Sequence, residues 1–246
     1  MRLFGILAVA ATLACACSVR AADDAQNLLR NGGFEDGAGT PAGWQTWDGL
    51  TTFWERDPDP ARGRYLRFDT RPPQDQASAW WLQVRRGASP TNAPNPGSCG
   101  QYATVGGLEG AWFFSDPVAC EPGKAYWLTV DARGPGGFVW LLGYKLKPDI
   151  RFGSDIAVVW EAERNEKLPG AGRTRDHEPY IHNYEWKGQL KVPPSDTWIT
   201  VARRSKPFRP TAMTPEVRWL RVMLYACWPN AGTYCYDNVR LTVVKE

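Results

Sequence analysis

The sequence has little helical periodicity. No run of ten or more residues repeats its apolar positions at helical spacing. After residue 22, every apolar stretch is shorter than the ~20 residues that a membrane-spanning helix needs. These two absences argue against a helical bundle and against a helical membrane protein.

The signatures of several enzyme and binding classes are also missing. No serine lies in a G-x-S-x-G sequence, and there is no phosphate-binding loop or dinucleotide-binding fingerprint. The sequence has no Cys-x-x-Cys pair, so a zinc site is not indicated. Lys and Arg form no stripe and the net charge is only +3, so binding to nucleic acid is not predicted.

The N-terminus, residues 1–21, is predicted to be a signal peptide. A short basic start precedes an apolar stretch at residues 3–17, and residues 19–21 fit a small-residue cleavage site. We therefore expect an exported protein that is secreted, periplasmic or held at the cell surface. A membrane anchor is disfavoured by the short apolar stretch. Lipid attachment at Cys15 or Cys17 stays open, since each follows an alanine.

Short β-rich runs separated by Gly, Pro, Asn and Asp dominate the rest of the chain. Apolar and polar residues alternate in "AYWLTVDA" (125–132), "VRWLRVMLYA" (217–226) and "NVRLTVV" (238–244). Strands that have one apolar face and one partly polar face are typical of two packed sheets. The prediction is an all-β antiparallel β-sandwich, with residues 22–246 forming a single domain.

Four cysteines follow the predicted signal. An even number in an exported chain favours disulfides, and four cysteines allow three pairings. We favour Cys227–Cys235, because "CWPNAGTYC" is typical of a hairpin that turns at residues 229–232. That choice leaves Cys99 to pair with Cys120.

Motifs at both ends of the chain point to a family. The stretch "NLLRNGGFEDG" (27–37), followed by "GWQTW", resembles the start of CenC-type carbohydrate-binding modules (families 4, 9 and 22). The ending "YCYDNVRLTVV" is similar to their last strand. Two internal stretches, "FFSDPVACEPGKAYWLTVDARGPGG" and "WKGQLKVPPSDTWITVAR", resemble middle segments of these modules. The resemblance implies a galactose-binding-like jelly roll.

The resemblance also implies a structural Ca²⁺ where the two chain ends meet. Glu35 and Asp237 would supply side-chain oxygens, and Asn31 and Lys124 would supply backbone carbonyls. In a jelly roll the two ends can lie side by side, and two adjacent carboxylates repel each other unless a cation or protons intervene. Hydrogen bonds that tie the ends together are the alternative.

The thirteen Trp residues exceed what one core usually needs. Exposed rings stack on the C–H faces of sugars, while polar neighbours bind the hydroxyl groups. The predicted sugar-binding candidates are Trp47, Trp54, Trp80, Trp81, Trp112 and Trp127. Trp127, on the mixed face of its strand, could line the same groove as Trp140 or Trp219.

Two clusters suggest catalysis instead. Glu161 and Glu163 would share a strand face, as the carboxylates of a retaining glycosidase do, but a solvated strand is the preferred explanation. His177 and His182 lie in a polar loop, where they could bind a metal or act as a base.

We predict a jelly roll that binds a polysaccharide or oligosaccharide without transforming it. A jelly-roll glycoside hydrolase or lyase, and a cell-surface interaction domain without sugar binding, remain the alternatives, because fold alone does not decide function.

Overall fold

The computed structural model describes residues 26–73, 76–77, 79–80, 83, 110–148, 184–203, 205–227 and 230–244. Ten strands form two antiparallel sheets, which confirms the predicted all-β sandwich with jelly-roll architecture. The strands of the first sheet are β1 (Thr52–Arg56), β2 (Arg64–Asp69), β5 (Tyr126–Gly134), β8 (Ser195–Ala202) and β10 (Thr233–Val243). Those of the second are β3 (Gly110–Phe114), β4 (Val118–Ala119), β6 (Gly137–Tyr144), β7 (Trp186–Val192) and β9 (Trp219–Cys227). A short helix, Pro210–Met213, precedes β9.

Neighbouring strands are mostly distant in sequence. The first sheet has the order β1-β2-β10-β5-β8, and the second has β3-β9-β6-β7 with β4 paired to β9. The chain crosses repeatedly between the sheets, which is why the last strand, β10, lies between β2 and β5.

The core fills the space between the two sheets. Alternate residues of each long strand point into it, and in β9 these are Leu220, Val222, Leu224 and Ala226. The same alternation places Trp219, Arg221, Met223 and Tyr225 on the opposite face of β9, as a strand's period of two requires.

The two ends of the described chain lie side by side. Leu28 N donates to Leu241 O at 2.8 Å, and Val239 N donates to Gly32 O at 2.8 Å. Gly32 makes this approach possible, because a Cβ at that position would overlap the carbonyl oxygen of Val239. The opening motif therefore docks directly against the last strand.

The predicted Cys227–Cys235 disulfide is wrong. The two cysteines lie on strands of different sheets, so the segment between them is not a hairpin. The Cys235 thiol instead accepts a hydrogen bond from Arg133 Nη2 at 3.7 Å. Both cysteines and Cys120 are free thiols. Cys99, the predicted partner of Cys120, lies outside the described residues.

Several other predictions concern residues outside the described ranges. They are the signal peptide (1–21) with Cys15 and Cys17, and the residues Trp81, Glu161, Glu163, His177 and His182. Across the part of the chain that is described, no helix has the length and apolar character to cross a membrane.

Candidate functional site

The second sheet carries a dense group of aromatic side chains on the side that faces away from the core. We call this surface the aromatic face. It consists of Trp112, Phe114, Phe138, Trp140, Leu142, Tyr144, Trp219, Arg221, Met223 and Tyr225.

Strand register arranges these side chains in rows that run across the sheet. Trp112 of β3 lies opposite Tyr225 of β9, which lies opposite Phe138 of β6. The next row places Met223 between Phe114 and Trp140. Adjacent strands are about 4.8 Å apart, so neighbouring side chains within each row are in near contact.

The accessible rings lie toward the β6 and β7 side of the face. Trp112 and Phe114 are buried, whereas Phe138, Trp140 and Tyr225 are half-buried and keep part of their surface open. The Phe138 and Trp140 ring centroids are 6.0 Å apart. The arrangement offers a short run of rings against which a flat apolar ligand surface can stack.

Exposed polar side chains border these rings. On β7, Lys191 lies opposite Phe138, Gln189 lies opposite Trp140, and Lys187 lies opposite Leu142. All three β7 residues are exposed. They place amide and ammonium groups beside the rings, where ligand hydroxyl groups would project.

Two polar groups are buried within the aromatic face. The Arg221 guanidinium lies 4.6 Å from the centroid of the Phe114 ring, and its Nε donates to Ser115 O at 2.7 Å. Burial lowers the pKa of Arg221 to about 10, so the guanidinium stays charged at neutral pH. Burial also raises the pKa of Tyr144 to about 12, which keeps this phenol neutral.

The six Trp residues predicted to bind sugar do not form one site. Trp112 belongs to the aromatic face, although it is buried there. Trp80 is 4% exposed and packs in the core, so it cannot stack on a polysaccharide. The indole N–H groups of Trp47 and Trp54 donate to Gly39 O and Phe34 O, and both rings pack against the core. 

Trp127 lies on the first sheet, opposite Thr242. It therefore cannot share a groove with Trp140 or Trp219, which lie on the second sheet. The suggestion of a common groove is wrong, because the outer faces of the two sheets lie on opposite sides of the sandwich.

Sequence reasoning left Phe138, Trp140, Trp219 and Tyr225 out of its list of site residues. The alternation of residues 217–226 was visible and assigned Trp219 and Tyr225 to one face. The signal that could have completed the site is the same alternation in "FVWLLGY" (138–144), which puts Phe138, Trp140 and Tyr144 together.

A second polar cluster lies on the outer side of the first sheet, at the predicted calcium position. Asp237 of β10 is opposite Asp131 of β5. The Arg62 guanidinium bridges the two carboxylates, with Nη1 at 3.0 Å from Asp237 Oδ2 and Nη2 at 3.1 Å from Asp131 Oδ2. Arg62 also lies over the Trp198 ring, 4.2 Å from its centroid.

Burial raises the pKa of Asp237 to about 7, an effect that Arg62 opposes and that Asp131 and Glu35 reinforce. Glu35 is thus close enough for its charge to act on Asp237. Its Oε1 accepts a hydrogen bond from Arg64 N at 2.7 Å.

The other two predicted calcium ligands do not join this cluster. The carbonyl of Asn31 accepts hydrogen bonds from Phe34 N and Trp44 Nε1. Lys124 precedes Asp131 by seven residues along an extended chain, a separation of roughly 20 Å. The side chains present fit a fixed guanidinium better than Ca²⁺, and the described residues contain no group of three potential metal ligands. The calcium ion stays a prediction.

Comparisons with known proteins give only distant likenesses. No protein-family model matches the sequence, and no curated protein matches it. The enzymatically active domain of bacteriophage CBA120 tailspike protein 4 is 14% identical, with 89% of this chain and 21% of that chain covered and a TM-score of 0.43. The arabinose-bound MgGH51 α-L-arabinofuranosidase is 13% identical, with 88% and 26% covered and a TM-score of 0.45.

A third solved structure, TmCBM61 in complex with β-1,4-galactotriose, is 12% identical, with 90% of this chain and 99% of that chain covered and a TM-score of 0.38. This chain spans only about a quarter or less of the first two proteins. At TM-scores below 0.5, these likenesses do not assign a function to this chain.

Proposed function

We propose that this protein is an exported carbohydrate-binding protein whose aromatic face stacks on a polysaccharide or oligosaccharide without cleaving it. The observation that carries the proposal is the group of half-buried rings Phe138, Trp140 and Tyr225, which lie in two adjacent rows bordered by the exposed amide of Gln189. Apolar rings with a few convergent polar groups are the usual composition of a small-molecule binding site.

The outer side of the first sheet is less suited to stacking. Guanidinium groups lie over its rings, with Arg67 over Phe53 at 4.0 Å and Arg62 and Arg133 over Trp198 at 4.2 and 5.0 Å. A sugar would have to displace these groups before it could reach the rings. On the aromatic face, no guanidinium of the described residues lies over Phe138 or Trp140, although Lys187 Nζ is 5.4 Å from the Trp140 ring centroid.

The strands of the second sheet carry none of the carboxyl groups that hydrolysis would need from them. A glycoside hydrolase normally needs two carboxyl groups beside the scissile bond. The five strands of this sheet contain no Asp and no Glu. A pair of catalytic acids is therefore absent from the strands that present the aromatic face.

The test is retention of the protein on a panel of immobilised polysaccharides, with Trp140→Ala compared with Trp127→Ala. Both residues are half-buried Trp on outer sheet faces, but only Trp140 belongs to the aromatic face. We expect Trp140→Ala to weaken binding to the retained polymer by about tenfold or more, which is ~1.4 kcal/mol. Trp127→Ala should bind as the wild type does.

Thermal unfolding of both variants checks that each is folded. If Trp127→Ala loses as much binding as Trp140→Ala, or if no glycan in a broad panel is retained, the proposed function is wrong. Release of reducing ends from the retained polymer would instead support the glycoside hydrolase alternative.

A further inference from the structure

Charge is distributed unequally between the two sheets. The strands of the first sheet carry five acidic residues and five basic ones. The acids are Glu55, Asp69, Asp131, Asp196 and Asp237, and the bases are Arg56, Arg64, Arg67, Arg133 and Arg240. The strands of the second sheet carry no acid and three bases, Lys187, Lys191 and Arg221. Within the described strands, only those of the second sheet carry more positive than negative side chains.

The positive groups lie beside the accessible rings. Lys187 Nζ is 5.4 Å from the centroid of the Trp140 ring and 5.9 Å from that of Tyr184. Lys147 Nζ is 5.3 Å from the Trp219 ring. Any sugar stacked on Trp140 or Trp219 would therefore place its substituents within reach of an ammonium group.

Arg221 adds a charge from beneath the surface of the face. It is 1% exposed and lies opposite Leu142, one row away from Trp140. A charge held in a region of low dielectric acts over a longer distance than one in water. Two acids of the described residues flank strands of this sheet, Asp116 after β3 and Glu185 before β7, and Asp116 offsets part of the Arg221 charge.

We propose that the ligand of the aromatic face is an anionic glycan, one that carries carboxylate or sulfate groups along its length. This inference rests on the proposed function and specifies its substrate class. The rings would hold the sugar C–H faces, while Lys187 and Lys191 would pair with the anionic substituents. A neutral glycan would leave two exposed ammonium groups without a partner, which costs little, but it would gain nothing from them.

The test compares three immobilised polymers, which are a polyuronate, the same polymer after reduction of its carboxyl groups, and a sulfated galactan. Lys187→Gln and Lys191→Gln are compared with Lys124→Gln, which lies in the turn before β5 of the other sheet. We expect the wild type to bind at least one anionic polymer about tenfold or more tightly than the neutral polymer at low salt. The two β7 variants should each lose about threefold to tenfold of that preference. Lys124→Gln should keep it, and added salt should weaken binding to the anionic polymer alone.

The outcomes separate the two proposals. Preference for the polyuronate assigns the anionic group as carboxylate, and preference for the galactan assigns it as sulfate. Equal binding to neutral and anionic polymers, lost in Trp140→Ala, would overturn the inference and leave the proposed function intact. An equal loss in Lys124→Gln would show a nonspecific charge effect and would also overturn it. Retention on none of the polymers, and on no other glycan, would overturn both proposals.

Discussion

Replacing Arg62 with methionine tests what stabilises the carboxylate pair Asp131 and Asp237, where β5 meets β10. Arg62 bridges Asp131 and Asp237 at the predicted calcium position. The Asp237 side chain is 1% exposed, that of Asp131 is 13% exposed, and that of Arg62 is 23% exposed. The substitution keeps most of the side-chain length but leaves two carboxylates facing each other without a cation.

The expected loss follows from this partial burial. Removing one partner of a fully buried ion pair costs about 3–5 kcal/mol, whereas an exposed pair contributes about 0–1 kcal/mol. Because Asp237 is buried but Arg62 retains some solvent contact, we expect an intermediate cost of about 2 kcal/mol. Loss of the contact with Trp198 adds roughly 0.5–1 kcal/mol. For a domain of this size, each kcal/mol lowers Tm by about 2–4 °C, so Tm should fall by about 5–12 °C.

The assay is thermal unfolding at pH 8, where Asp237 is ionised, with and without EDTA and with added Ca²⁺. Exposed Arg209→Met is the matched control and should unfold as the wild type does. A double-mutant cycle with Asp237→Asn isolates the coupling between the two side chains. The reasoning is refuted if Arg62→Met leaves Tm unchanged while EDTA lowers the Tm of the wild type, since calcium would then hold the junction.

Two further predictions concern the same junction. The folded-state pKa of Asp237 is raised from 3.8 to about 7 by burial. The native protein therefore keeps a proton that the unfolded chain releases, and stability should fall as pH rises from about 4 to 7 and then level off. Urea unfolding should show this loss of stability with rising pH in the wild type but not in Asp237→Asn. A wild-type free energy of unfolding that rises over the same pH range would contradict the prediction. Gly63→Ala should destabilise the protein by about 1–2 kcal/mol more than Gly39→Ala in the same assay. Both glycines have a positive φ, but only at Gly63 would an added Cβ overlap the Glu35 carboxylate. Equal losses would show that only backbone strain matters there.

Much of the fold could be predicted from local pattern. A strand's side chains alternate with a period of two whatever lies beside it. The runs 125–132 and 217–226 therefore revealed their inner and outer residues, and the structure confirms them. The adjacency of the chain ends also followed, from the resemblance of both terminal motifs.

The candidate site could not be assembled in the same way. Each Trp is visible in the sequence, but strand order decides whether its ring lies beside other rings on the outer face of a sheet. Trp127 and Trp140 both lie on outer faces, yet on opposite sides of the sandwich. The disulfide prediction failed for the same reason, because closeness in sequence between Cys227 and Cys235 says nothing about which sheet each strand joins.

The sequence by itself determined that this chain forms short alternating strands, with enough apolar residues to fill a sandwich and enough aromatic residues to cover part of its surface. Only the tertiary structure decided that the acidic residues of the strands lie on one sheet, that Phe138, Trp140 and the β7 lysines lie together on the other, and that Arg62 bridges Asp131 and Asp237. The physical reason is that alternation is a property of neighbouring residues, whereas these groupings arise from pairing between strands far apart in the chain. Arg62 and Asp237, for example, are 175 positions apart and meet only because β10 inserts between β2 and β5.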